Sequence, residues 1–520
     1  MATYRIGEGR FSTETPEFDT AVESAYLRRE RPRCLCQPGG VEMYVAKVAG
    51  RHIVKRMPDT GAHHAPGCDS YEPPAELSGL GQVLGTAIEE NVDDGFTALK
   101  LGFSLSKGGS RSAPSSPSAE SDSVKTDGSK LTLRGALHYL WEQAGFNRWM
   151  PGMEGKRSWF VIRKFLLRAA QDKRAKGQDL LQMLYIPEPF KQEDKDGIAQ
   201  RRQVQFAKIA GSHKGGRRLN LVIGELKEIS ETRFGHKVLL KHVPDIWFMV
   251  NEDMHRRLQK RFSTELGLWD AAEDVHLVII GTFGVGVTGI PSLEEVALMT
   301  VNAHWIPIET LYDKNLVDQL VTGRRRFVKG LRYNLPSSRP LAAAVLSDTA
   351  PQATALYVVP PGAEEVYAEA TEGLIAQSEL ASWLWKAGDQ LQPPLPPAAG
   401  PGAAARPAAP PRPAAAPGPA AGPAGATPRP TPAPAPEASP ESQQQTPAAG
   451  PVATDKRAAS PPPLAASGPA AAPPEAPPAP APAPRPAPAQ QRSTPTAGQQ
   501  AVLEGIPAAQ LRPDRRAADL

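Results

Sequence analysis

Apolar and polar residues alternate along residues 41–48 and again along 51–57, with Ala49-Gly50 between them, which is the pattern of a β-hairpin. Leu77, Leu80, Val83, Leu84 and Ala87 then recur at helical spacing and predict a helix over 76–90, after which 93–103 returns to a strand-like pattern. Leu133, Leu137, Leu140, Trp141 and Ala144 line one face of a helix over 131–144, which a Gly-containing turn joins to a second helix over 158–176. Residues 219–229 and 236–250 read as extended runs bounded by Gly235 and Pro244. Helices followed by a β-ribbon suggest a winged helix-turn-helix. Farther on, 276–283 reads as an apolar strand, 292–300 as a helix opened by a Ser292/Glu295 capping box, and 311–319 as a helix. Strands over 342–346 and 354–359 precede helices over 364–375 and 379–386.

The expected fold class is α+β and multidomain. A hairpin unit spans 1–103, a Ser/Gly-rich linker 104–129, a helical and β-ribbon, winged-helix-like unit 130–270, and an α/β unit 271–395. Composition changes the picture after that point. Of the 56 prolines among 520 residues, 36 lie beyond residue 390, in runs of Ala, Pro and Gly with little to bury, so 396–520 reads as a disordered tail. That tail is expected to sample polyproline II as a spacer, with 501–520 a candidate helix for a protein partner.

Charge adds little in bulk. The tail holds ten Lys or Arg and seven Asp or Glu, a balance of +3 that leaves about +1 of the total +4 for the first 395 residues. The start of the chain shows no apolar signal segment and no stretch is long enough to cross a bilayer, so a cytoplasmic protein without membrane contact is expected. In a reducing compartment three cysteines are expected as thiols or metal ligands.

All three lie in one 35-residue window, as Cys34-Leu35-Cys36 and His63-His64-Ala65-Pro66-Gly67-Cys68 around the hairpin. Side chains at i and i+2 of an extended segment point to one side, and a ribbon that returns the chain lets His64 and Cys68 close a tetrahedron with Cys34 and Cys36. Zinc is the cofactor this set suggests, and four protein ligands make it structural. His63 ranks second as the imidazole and His52 third. A Cys34–Cys68 disulfide, or three unrelated buried thiols, are the alternatives.

Local runs of base stand out from the near-neutral whole. Residues 155–176 hold Lys156, Arg157, Arg163, Lys164, Arg168, Lys173, Arg174 and Lys176 against one acid, Asp172, with Trp159, Phe160 and Phe165 interleaved. Residues 197–218 hold Arg201, Arg202, Lys208, Lys214, Arg217 and Arg218 and no acid. Arg157, Lys164 and Arg168 share a helical face suited to phosphates. The alternative is a solvated face over a core of aromatics.

Gly284-Val285-Gly286-Val287-Thr288-Gly289 follows a strand and spells a dinucleotide-binding string, with Glu309 beyond it. Such a site needs a helix to start inside the glycine loop, whereas Pro291 follows here, so a tight-turn loop and no nucleotide cofactor are expected. Neither a G-x-S-x-G, an H-E-x-x-H nor a Walker A sequence is present.

Two resemblances carry further expectations. Arg33-Cys34-Leu35-Cys36, Met43-Tyr44-Val45, Lys55-Arg56-Met57-Pro58, Ser70-Tyr71-Glu72-Pro73-Pro74, Leu77-Ser78-Gly79-Leu80-Gly81, Ser123-Val124-Lys125-Thr126-Asp127-Gly128 and Leu137-His138-Tyr139-Leu140-Trp141 resemble an uncharacterised bacterial family. It is catalogued as domain of unknown function 1173, and the likeness covers about residues 1–395. The family is found on plasmids and integrative conjugative elements, which implies work connected with DNA. Separately, Arg326-Phe327-Val328-Lys329-Gly330-Leu331-Arg332-Tyr333, Arg339-Pro340-Leu341 and Ala355-Leu356-Tyr357-Val358-Val359, with Tyr367 and Trp383-Leu384-Trp385, are similar to restriction-endonuclease-like domains. In those nucleases carboxylates hold Mg²⁺, but Leu341 and Tyr357 stand at the corresponding places here. A degenerate domain is implied, in which Arg324, Arg325, Arg326, Lys329 and Arg332 bind phosphate without cutting; Asp348, Glu364 and Lys386 lie near enough for a displaced site. The leading expectation is a zinc-binding accessory protein of a mobile element contacting DNA or a DNA-processing partner. A divalent-metal-dependent nuclease and a protein-interaction scaffold are the alternatives.

Overall fold

The computed structural model describes residues 2–107, 128–388 and 391–399, apart from 49, 93 and 212–216. Most of the expected linker and nearly all of the Ala/Pro-rich tail, with its 501–520 segment, lie outside the described residues. Within the described residues the chain is α+β. Its helices are α1 Phe18–Arg28, α2 Leu133–Gln143, α3 Trp159–Ala169, α4 Lys195–Ala207, α5 Glu252–Arg261, α6 Ser263–Ala271, α7 Leu311–Thr322 and α8 Glu365–Gln377.

The largest sheet has seven strands. Asn220–Thr232 pairs antiparallel with Gly235–Leu240 and also with His276–Val285, which forms a long hairpin with Pro291–Val301. Phe248–Val250 joins Gly235–Leu240 to Pro291–Val301, so these pairings form a closed cycle. Every residue from Leu277 to Val285 is buried, as expected for a strand covered on both faces. α2 and α3 supply Leu137, Leu140, Trp141, Ile162 and Leu166 to the same core as Phe248, Ile279 and Phe283.

A second sheet carries five strands in the order Ala381–Lys386, Thr354–Val359, Ala344–Leu346, Phe327–Lys329, Arg148–Trp149. Its last member comes from the α2–α3 connection, which is thereby fixed beside Phe327–Lys329. The N-terminal sheet runs Gly9–Ser12, Thr3–Ile6, Arg33–Cys34, Val41–Val48, Arg51–Arg56. α1 covers it, burying Val22 and Ala25 against Tyr4, Ile6, Cys34 and Met43.

The hairpin at 41–57, α2, α7, α8 and the strands near 276, 344 and 354 form where the pattern places them. Six expectations do not hold. Residues 76–90 form short 3₁₀ turns, Ala75–Leu77 and Gly79–Gln82, and then the strand Ile88–Asn91. Gly79 lies so close to another backbone that a Cβ would stand 1.9 Å from the Arg332 carbonyl oxygen, and Gly85 has φ +72°, so no regular helix passes through them. The second helix of the pair stops at Ala169, and Lys173–Ala175 is a strand parallel to Phe96–Leu99.

Residues 292–300 are strand, not helix: pairing with His276–Val285 outweighs the local capping signal, and the glycine string ends the first strand at Val285 and makes the hairpin turn from Gly286 on. Residues 379–386 likewise contain the strand Ala381–Lys386, parallel to Thr354–Val359, in which Trp383 and Trp385 alternate with more exposed neighbours. The ribbon read as a wing contributes three strands, Asn220–Thr232, Gly235–Leu240 and Phe248–Val250, to the seven-stranded sheet. That sheet also crosses the expected boundary at residue 270.

Candidate metal centre and adjoining basic cleft

Cys34 ends a two-residue strand held between Tyr4–Arg5 and Val41–Glu42. Cys36 follows two residues later, before a turn in which Gly39 and Gly40 take φ of +82° and +76°. The other arm leaves the hairpin, makes the 3₁₀ turn Gly61–His63, and bends again where the Cys68 amide donates to the Ala65 carbonyl at 2.8 Å.

These two turns bring four donor atoms together. Cys34 Sγ lies 3.7 Å from Cys68 Sγ, Cys36 Sγ 3.3 Å from His64 Nδ1, and Cys68 Sγ 3.7 Å from the same nitrogen. All four atoms fall within 4.8 Å of one another. A tetrahedral zinc with bonds of about 2.3 Å to sulfur and about 2.0 Å to nitrogen has edges of about 3.8 Å and about 3.5 Å. The donor set therefore has the spacing of a tetrahedral site. A disulfide would need about 2.05 Å between sulfurs, and the three cysteines are free. His64 is buried and its Nε2 has no hydrogen-bond partner among the described residues. His63 is exposed, while His52 stacks on Tyr26 with ring centroids 4.5 Å apart.

Within the cluster one sulfur, Cys68, is drawn toward thiolate while burial and neighbouring sulfurs hold Cys34 and Cys36 toward thiol. Hydrogen bonding from Cys34, supported by His64 and the Ser70 amide, draws the Cys68 thiol down to about 3 against the opposing effect of burial. Hydrogen bonding to Cys68, then burial, pushes the Cys34 thiol up. Burial, then the nearby sulfurs, also raises the Tyr4 phenol. A divalent cation would supply the compensating charge for several thiolates here.

The arm that carries His64 and Cys68 is anchored to the body. Glu72 accepts from Arg56 Nη2 at 2.5 Å and from Arg148 Nη2 at 3.4 Å, and Arg148 Nη1 donates to the Asp69 carbonyl at 3.1 Å. A cleft of about 410 Å³ opens beside it, walled by Pro66–Asp69, the α2–α3 connection, Val161 and Phe165 of α3, and Arg326–Val328.

The basic residues singled out in the sequence divide sharply. Arg157 is a structural donor: its guanidinium donates to the Phe146 carbonyl at 3.0 Å and the His304 carbonyl at 3.2 Å, and also to that of Arg148. Arg163 Nε donates to the Ile186 carbonyl at 3.1 Å. Arg201 pairs with Glu188 and Asp194, and buried Arg202 with Asp245. Arg325 is buried, with Nη2 2.8 Å from Asp348 Oδ1, and Lys329 lies 3.3 Å from Asp313. Arg332 pairs with Glu309 at 2.6 Å, and Arg324 lies 3.8 Å from Glu154. Phosphate contact through Arg157, Arg202, Arg325 and Lys329 is therefore not what their surroundings support. Lys156, Lys164, Arg168 and Arg326 remain exposed, with no side-chain acceptor among the described residues. Lys156 and Arg326 line the cleft.

Leu341 and Tyr357, which the expected nuclease resemblance sets against carboxylates, are both buried. Asp348 is engaged by Arg325, and Lys386 lies 3.3 Å from Glu372. Among the described residues one other group of metal-ligand type approaches within 4.8 Å, His236, Glu252 and His255. The two imidazoles there stack face to face at 3.4 Å, so their in-plane lone pairs run parallel and do not converge on one ion.

Sequence reading missed the cleft. Its lining residues come from four distant stretches, and only the run Phe146 to Arg157, mixing aromatics, methionines and bases, hints at it.

Fold and site thus define an α+β protein with a metal-ligand cluster at the foot of its N-terminal sheet. Residues 4–388 match a family described as a protein of unknown function (DUF1173), and the chain belongs to that family. No curated protein and no solved structure matches it.

Proposed function

We propose that this is a structural-zinc protein that contacts nucleic acid through the exposed face of α3 and the rim of the neighbouring cleft. The observation that carries the zinc reading is the convergence of Cys34, Cys36, His64 and Cys68 at tetrahedral spacing in a mostly buried position. Three thiolates and an imidazole form a soft set with no open coordination position, so the metal ties segments together rather than activating water. It joins the turn after the Arg33–Cys34 strand to the arm that runs on to Glu72.

Support for nucleic acid comes from α3, whose eleven residues include no acid. Phe160, Lys164 and Arg168, spaced by four, share its exposed face, and Lys156 lies just before it. A DNA-contacting accessory protein fits the mobile-element setting implied by the family resemblance. Contact without cleavage is the preferred form, because Leu341 and Tyr357 supply no carboxylate.

Elemental analysis of the purified full-length chain should give about one zinc per chain. Labelled duplex and single strands should bind, weaken steeply with added salt, and stay uncut with Mg²⁺ or Mn²⁺. Folded metal-free protein would contradict the zinc reading, and absent binding the nucleic-acid reading. Metal-dependent cutting would put a nuclease in its place.

A further inference from the structure

We infer that the cleft beside the metal-held arm seats one unpaired base of a single strand, with the adjoining phosphates on Lys156 and Arg326. The inference rests on the nucleic-acid reading above and narrows it to a substrate class. At about 410 Å³ the cleft lies within the roughly 300–1,000 Å³ span of small-ligand sites. That suits one planar group rather than a protein surface.

Its lining is apolar and planar-friendly. Met150, Met153, Val161 and half-exposed Phe165 form walls over the buried rings of Phe146 and Trp149. The Arg157 guanidinium sits 5.4 Å from both ring centroids, and its bonds to backbone carbonyls hold that base in place. An aromatic base entering here would stack on Phe165 and the methionine sulfurs.

The rim is cationic. Lys156 and Arg326 are both exposed among the lining residues, and Asp69 is the acidic residue among them. Arg148 is occupied by Glu72 and the Asp69 carbonyl. Two exposed cations at an apolar slot suit a base together with its neighbouring phosphates. A base inside a duplex presents only its edge in the grooves and cannot lay its face on Phe165. The charges also disfavour the chain's own Pro-rich tail, whose balance is +3.

The test uses the full-length zinc-loaded protein, a fluorescein-labelled oligothymidylate, a duplex of equal length and free thymidine monophosphate as competitor, at one salt concentration. The single strand should bind about tenfold or more tightly than the duplex. Phe165→Ala should cost about tenfold on the single strand, as stacking losses of this kind do, and leave the duplex nearly unchanged. Phe165→Trp should retain binding, and Lys156→Ala with Arg326→Ala should weaken it. Zinc content and Tm serve as folding controls, and Phe165→Leu, with the same expected loss, replaces Phe165→Ala if the latter is unstable.

Equal affinity for both forms, with no effect at Phe165, overturns this inference and leaves the nucleic-acid reading standing. No binding to either form overturns both. Competition by thymidine monophosphate as effective as that of unlabelled strand would make the cleft a mononucleotide site and also overturn it.

Discussion

Glu142, near the end of α2, shows how much a single residue's setting departs from what its letter suggests. Tyr333 Oη donates to its carboxylate at 2.6 Å, yet burial, with Glu72 pushing the same way, lifts its carboxyl to about 7. The sign of the linkage follows. Between the ordinary carboxylate range and about 7 the folded chain keeps a proton that the unfolded chain has released, so stability falls as pH rises through that window. Glu142→Gln keeps an acceptor for Tyr333 and removes the titration. Urea unfolding at pH 5 and pH 7.5 should show wild type losing about 2 kcal/mol more than the variant over that interval; parallel behaviour would show that Glu142 is ionised throughout. At this scale the ligand set was legible, because spacing alone places thiols and imidazole near a returning ribbon. The fate of each arginine was not. Arg157 and Lys164 look alike in sequence, and what separates them is a carbonyl of His304, 147 positions away.

Among elements, the failures share one cause. Residues 292–300 carry a sound capping pattern, and 379–386 a plausible helical one, yet each pairs with a neighbouring strand. Non-local ladder hydrogen bonds and burial on a sheet outweigh differences in local propensity. Period-two placement of Trp383 and Trp385 was the readable hint. Over 76–90 the apolar spacing was genuine, but glycines were required for contact rather than for helix. Gly79→Ala tests this directly. Its Cβ would meet the Arg332 carbonyl at 1.9 Å, so a backbone must shift, and thermal or urea unfolding should register a loss of about 1–3 kcal/mol. An unchanged midpoint would mean that the approach is looser than described.

For the molecule as a whole, the arm that carries His64 and Cys68, the α2–α3 connection and the Phe327–Lys329 strand meet at one cleft, and the surrounding charges sort into scaffold and surface. The general α+β class and the hairpin were visible in advance, whereas the cleft required the Arg148–Trp149 strand to pair with Phe327–Lys329, a contact no local pattern encodes. Arg157→Ala should lower stability by about 3 kcal/mol, since it strands several buried carbonyl acceptors. Lys164→Ala should leave Tm unchanged while weakening nucleic-acid binding and reducing the salt slope by about one. Calorimetry paired with a salt titration separates the two; equal effects of both variants on Tm would erase the division between scaffold and surface.

Cys34, Cys36, His64 and Cys68 at the foot of the N-terminal sheet are proposed to hold zinc. X-ray absorption at the zinc edge of the purified chain reads that coordination shell directly. It should give three sulfur neighbours at about 2.3 Å and one nitrogen at about 2.0–2.1 Å. A shell of oxygen and nitrogen only, or no edge at all from folded protein, would contradict it.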